Sequence, residues 1–208
     1  MRIITVSRQF GSGGRELGKR LADLLSYDYY DRQIIEQLAD EHDLDPAYVR
    51  RQLSHHGWQN IQLTYRHSFS NILSNPGVNT QLLLRQREII EEIAAAGNDC
   101  VIVGRDADVI LHDYHPFRIF ICADMEYRVA RCMKYEMKKP EEERFSERMI
   151  RRDIRLLDRR RSRLREVITG KTKGDSSSFD LIVNTSGWDI KKLVPAVAAF
   201  AGSWFEQI

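Results

Sequence analysis

Cysteine is scarce in this chain: Cys100, Cys122 and Cys132 are the three among 208 residues, and none stands in C-x-x-C spacing. An odd number without paired spacing favours a reduced cytosol over a disulfide framework or a zinc site. Long apolar runs are missing too. No stretch approaches the length of a membrane span, and residues 1–10 lack the apolar core of a secretion signal. Neither sign of charge dominates. With 32 basic and 30 acidic residues the formal net charge is +2, which weighs against nucleic acid as a partner. His55, His56 and His67 do not fall into metal-ligand spacing and read as surface groups. Internal repeats and low-complexity tracts are absent. The expectation is one soluble, cytoplasmic domain with excursions, of ordinary globular composition (42% apolar, 30% charged); its oligomeric state is left open.

What the chain does have stands at its start. The β-branched run Ile3-Ile4-Thr5-Val6-Ser7 feeds the turn Gly11-Ser12-Gly13-Gly14, and an apolar-periodic segment with Leu17, Leu21, Leu24 and Leu25 follows. Strand, glycine loop and helix form a phosphate-gripping unit in which backbone N–H groups and a helix N-terminus converge on an anion. The usual pattern G-x-x-x-x-G-K-[ST] is only half present. If Gly13 is its last glycine, Gly14 replaces the lysine and Arg15 the hydroxyl. If Gly14 is, Arg15 replaces the lysine and Glu16 the hydroxyl. The first glycine is then Arg8 or Gln9. A dinucleotide fingerprint fails at Glu16.

Short apolar runs at 100–103, 118–122 and 180–183 join 3–7 as expected strands, with 28–31 as a shorter fifth. Helical patterns between them imply right-handed crossovers and a parallel sheet covered on both faces. In such sheets ligands bind beyond the carboxyl ends of the strands, where 11–14, Asp31, 104–106 and Asp124 would meet. Two connections are too long for simple crossovers. Residues 32–98 read as a small helical subdomain, and 124–178 as an arginine-rich excursion with a loop at 170–178. Ten arginines lie between Arg144 and Arg165. Ile150, Ile154, Leu157, Leu164 and Ile168 form an apolar stripe that Arg161 interrupts. An inward arginine needs an anionic partner, a substrate phosphate or Asp158 three residues before it. The other arginines, Arg165 among them, read as a solvated face. Trp188, Trp204 and Phe205 read as packing residues.

These pieces resemble the cytidylate kinase-like P-loop proteins, relatives of bacterial CMP kinase. Residues 4–16 are similar to that group's variant phosphate loop, and Tyr29-Tyr30-Asp31 sits where those kinases end their second strand in an aspartate. Leu83-Leu84-Arg85-Gln86-Arg87 resembles a helix of the acceptor region, Val101-Ile102-Val103-Gly104-Arg105-Asp106 the V-x-x-G-R-D signature. Arg128 and Arg131 resemble arginines after the fourth strand, Asp158-Arg159-Arg160-Arg161 a D-x-x-R signature, and residues 179–186 the final strand.

The resemblance implies an α/β P-loop NTPase fold: a five-stranded parallel sheet flanked by helices. Its core would be 1–31, 99–123 and 179–208, with a helical acceptor-binding insertion at 32–98 and a lid at 124–178. It implies transfer of the ATP γ-phosphoryl group to CMP or dCMP with Mg²⁺. Gly11, Ser12, Gly13, Gly14, Arg15 and Glu16 would then form the ATP-binding loop, with Arg15 standing in for the lysine. Arg105, Asp106, Asp158, Arg161 and Arg87 would face the acceptor. Arg128 and Arg131 would neutralise the transferring group, and Asp31 would hold Mg²⁺ through water. Asp31 and Asp106 read equally well as caps of the helices that follow them. Because the chain departs from CMP kinase at the phosphate loop, two other readings stand beside this one: a nucleotide binder without turnover, and a P-loop phosphotransferase with another small acceptor.

Overall fold

The computed structural model describes residues 1–31, 34–35, 80–169 and 174–207. The helical subdomain expected at 32–98 therefore lies largely outside the described residues, as do His55, His56, His67 and most of the glycine-rich start of the 170–178 loop. Five strands form one all-parallel sheet in the order β2-β3-β1-β4-β5. They are β1 (Ile3–Arg8), β2 (Asp28–Tyr30), β3 (Cys100–Val103), β4 (Phe117–Cys122) and β5 (Leu181–Asn184). Each lies within about a residue of its sequence expectation. β1 and β3 are buried along almost their whole length, as expected for β-branched runs covered on both faces.

β1 pairs with β3 on one side and β4 on the other, with Val6 opposite Val103 and Arg8 opposite Ile121. The chain thus reverses direction across the sheet at β1, and the crevice at such a switch point lies beyond the strand ends. Two helices seal one side of the core. α1 (Gly14–Leu25) buries Leu17, Leu21 and Ala22. α6 (Ile190–Phe205) buries Ile190, Val194, Val197 and Ala201. Phe117 anchors the far end, with the rings of Trp204 and Phe205 5.2 and 6.2 Å from its own. Trp188 is 56% exposed, so the packing role expected of it fails. It precedes α6, whose apolar face starts only at Ile190.

Further helices are α2 (Thr80–Ala95), α3 (Ala107–Ile110) and α4 (Met125–Glu136). The arginine-rich segment is one helix of 23 residues, α5 (Glu147–Thr169). Its first half builds a second small core, in which Ile150, Ile154 and Leu157 meet Phe10, Val129 and Cys132. Beyond Leu157 the inward face continues through Arg165, which is 2% exposed, and not through the half-buried Leu164. The solvated face expected for Arg165 is therefore corrected. An i+4 step from Arg161 carries the guanidinium to α3, where Asp108 meets it at 2.7 and 3.1 Å. No helix among the described residues is long and apolar enough to cross a membrane.

Candidate functional site

The turn after β1 takes its shape from Gly11 and Gly13, at φ +80° and +85°, the left-handed region that favours glycine. Gly13 is the N-cap of α1. Counting back from it, Arg8 occupies the place of the first loop glycine and Arg15 that of the metal-binding hydroxyl. The loop's carbonyls and side chains are tied into the protein. Gln9 N–H donates to the Ile121 carbonyl at 2.9 Å, and the Gln9 side-chain oxygen accepts from Ala123 N–H at 3.0 Å. The buried Ser12 hydroxyl donates to the Gln9 carbonyl at 2.9 Å. Thr185 donates to the Ser12 carbonyl at 2.7 Å. Phe10 N–H donates to Asp158 at 2.8 Å. The N–H groups of Gly11, Ser12, Gly13 and Gly14 have no acceptor among the described residues. Four orphan donors around a helix N-terminus form an anion cradle.

Arginines surround this cradle. The pocket before it is lined by Arg8, Phe10, Gly13, Arg15, Arg131 and Arg161, among others. Arg15 pairs with Asp31 through Nε and Nη2, both at 2.5 Å. Asp31 is 2% exposed and also accepts from Tyr29 Oη and Ile34 N–H, each at 3.3 Å, so it caps the segment that follows. Arg131 pairs with Glu16, which also accepts from Arg20 Nε at 2.9 Å. Arg161 lies over the Phe10 ring, 5.4 Å from its centroid. Arg128 sits behind the loop, bonded to Asp158 at 2.5 Å and to the Phe10 carbonyl at 3.3 Å. Asp158, expected beside Arg161 toward an acceptor, thus ties α5 to Phe10 and Arg128.

Burial alone would raise the Glu16 carboxyl, but hydrogen bonds from Arg131 and Arg20 outweigh it and hold it below its ordinary 4.5. A depressed folded value adds stability that is complete above 4.5 and lost as pH falls through the folded value. Glu16→Gln should therefore flatten the loss of stability between pH 6 and 3, measured by urea denaturation at each pH. Equal acid slopes for both proteins would refute the linkage.

At the end of β3, Gly104, Arg105 and Asp106 stand in succession at φ +83°, +62° and +51°. Two adjacent non-glycine residues in the left-handed region are strained, and such strain collects at functional sites. Gly104 N–H donates to the Val6 carbonyl at 3.0 Å, which sets this triplet beside the end of β1. Asp106 lies 3.6 Å from Arg165. Arg87 lies apart from the pocket, 61% exposed on α2 and paired with Glu91 at 2.9 Å.

Mg²⁺, which the resemblance implies, needs oxygen ligands beside the phosphates. The described residues do not fit it. Gly14, Arg15 and Glu16 offer no hydroxyl, and the Ser12 hydroxyl is turned into the protein. The Asp31 and Glu16 carboxylates are taken by arginines. No cluster of three His, Cys, Asp or Glu able to hold a metal occurs among the described residues.

Sequence reasoning missed Arg8, which ends β1 at the mouth of the pocket, and the Asp108–Arg165 pair. The signals were there in part: a long cation in a glycine's place, and an arginine continuing the 3.6-residue inward stripe.

No curated protein sequence matches the chain. Among solved structures, an uncharacterized protein from Eubacterium ventriosum superposes with a TM-score of 0.70 at 20% identity, covering 98% of this chain and 99% of that one. Shikimate kinase from Bacteroides thetaiotaomicron follows at 0.53 and 12% identity, over 96% and 97% of the two chains. Shikimate kinase from Acinetobacter baumannii in complex with shikimate gives 0.50 and 10%, over 97% and 93%. At these identities the likeness shows the fold, that of P-loop kinases. The profile of the cytidylate kinase-like family matches residues 3–187, the whole span from the start of β1 to just past the end of β5, and the chain belongs to that family.

Proposed function

We propose that this protein transfers the γ-phosphoryl group of ATP to a nucleoside monophosphate, CMP or dCMP. The observation that carries the reading is the cradle of N–H groups, Gly11 to Gly14, that have no acceptor among the described residues, with the strained Gly104-Arg105-Asp106 triplet following the neighbouring strand β3. In the reaction an acceptor phosphate oxygen attacks the γ-phosphorus, the bond to the β–γ bridging oxygen breaks, and ADP leaves with that electron pair. Catalysis of this kind is positioning and charge neutralisation. The loop amides hold the donor β-phosphate. Arg105 and Arg161 grip the acceptor phosphate as bidentate forks, Asp106 takes a sugar hydroxyl or the cytosine amine, and Arg15 and Arg131, each held by a carboxylate, line the donor side.

A coupled assay of ADP formation against a panel of nucleoside monophosphates and small hydroxyl acceptors tests this. Selective turnover with CMP or dCMP supports it, and turnover with another acceptor alone refutes the acceptor class. The second reading, nucleotide binding without turnover, draws on the engagement of Arg15 by Asp31 and of Arg131 by Glu16. It predicts ATP binding with no ADP formed. Under the first reading Arg105→Ala should raise the acceptor's Kd about 30- to 150-fold, a loss of about 2–3 kcal/mol for a charged bidentate contact. The Kd for ATP should hold. Equal weakening of both ligands in calorimetry would make Arg105 structural.

A further inference from the structure

The phosphate loop has lost the lysine and the hydroxyl that usually bring positive charge to a bound triphosphate, one directly and the other through a metal ion. Arg15 and Arg131 are each tied to a carboxylate. Arg8 is not: among the described residues no carboxylate stands within ion-pair distance of it. Its place is built with care. β1 delivers it opposite Ile121, and its Cβ lies 2.7 Å from where a Cβ on Gly14 would fall. Its Nη1 lies 1.6 Å from where a Cβ on Gly104 would fall. Gly104 at φ +83° is therefore a seat that only a residue without a side chain leaves open for this guanidinium. The pocket it lines also holds Gly11, Gly13, Gly14 and Arg161.

We propose that Arg8 supplies the charge on the bound phosphates that a lysine and a metal ion supply in other P-loops, so that this chain binds a triphosphate without a divalent cation. The inference rests on the reading of the loop as the donor site, and extends it to the form of the donor: the metal-free polyanion. The electrostatics agree. Burial, with Arg161 close by, pushes the Arg8 guanidinium down to about 9, against an upward pull from Tyr29 and Asp31. A desolvated cation beside like charges is stabilised by a bound anion. Arginine suits the task because its planar fork can bridge two phosphate oxygens.

This gives the test two readouts of opposite sign. Titration calorimetry with inorganic tripolyphosphate and with ATP, each in EDTA and in excess Mg²⁺, is expected to give dissociation constants in EDTA no more than about threefold weaker than in Mg²⁺. Arg8→Met should weaken both ligands about 10- to 100-fold, the range for one charge-assisted contact. The same variant should melt no earlier than the parent without ligand, because a repelled cation has been removed. Arg8→Lys should recover most of the affinity. Binding at least tenfold weaker in EDTA would overturn the proposal. So would an Arg8→Met protein with unchanged affinity or a lower melting temperature, or an Arg8→Lys protein no better than Arg8→Met. Metal-free, Arg8-dependent binding of tripolyphosphate without ADP formation from any acceptor would leave this inference standing and refute the kinase reading alone.

Discussion

Arg165→Met should lower folding stability by about 3–5 kcal/mol, the cost of breaking a buried ion pair by removing one partner. Arg165 and Asp108 are 2% and 6% exposed. Their two parallel contacts, 2.7 and 3.1 Å, form a fork, with the Phe179 ring 5.0 Å from the guanidinium carbon. Burial alone would lower the Arg165 guanidinium, but hydrogen bonds and charge from Asp108 and Asp106 outweigh it and raise it. With methionine at 165, Asp108 would keep, among the described residues, the distant Ser7 hydroxyl at 3.5 Å as its hydrogen-bond partner. The double variant Asp108→Leu, Arg165→Met removes both charges and should recover most of the loss, because a buried pair adds little over apolar residues of similar volume. Urea denaturation reads both effects as shifts of midpoint at constant slope. A single-variant loss below about 1 kcal/mol would show that water reaches the pair.

That pair also marks where the sequence stops being readable. β1, β3 and β4 announce themselves as apolar runs between glycine, proline and polar residues, and Gly11 to Gly14 announce an anion loop by composition alone. These are local signals. The strand order is not local: nothing in residues 100–103 says that Val103 lies opposite Val6 and so brings Gly104 against Arg8. For the same reason Arg8 reads as a strand end and Arg165 as one more charge on a basic helix. Both meanings come from partners 57 or more positions away, across crossovers whose register no short pattern encodes. Asp158 was legible as important but not for its bond to Phe10 N–H, since Phe10 enters the small core of Ile150, Ile154 and Leu157 only once α5 lies against the loop.

Arg161→Ala, read under the kinase proposal, should lower turnover by about two to three orders of magnitude, while Arg163→Ala should change it little. Arg161 sits on α5 between two anchors. Toward the N-terminus Leu157 is packed into the small core, and toward the C-terminus Arg165 is clamped by Asp108. Contacts on either side fix the helix locally, and the Arg161 guanidinium lies over the Phe10 ring at the pocket wall. A preorganised charge of this kind contributes most when negative charge develops on the transferring group, and charge-stabilising arginines in phosphoryl transfer contribute about 10³ or more. Arg163, exposed on the other side of the helix, has no such position. The stacked contact itself is worth only about 0.5–1 kcal/mol at a part-exposed site, so the unfolding midpoint of Arg161→Ala should move little while kcat falls. Steady-state kinetics beside a melting curve separate the alternatives. An Arg161→Ala protein that keeps near-normal turnover but unfolds well before the parent would make this arginine a brace for Phe10 and remove it from the reaction.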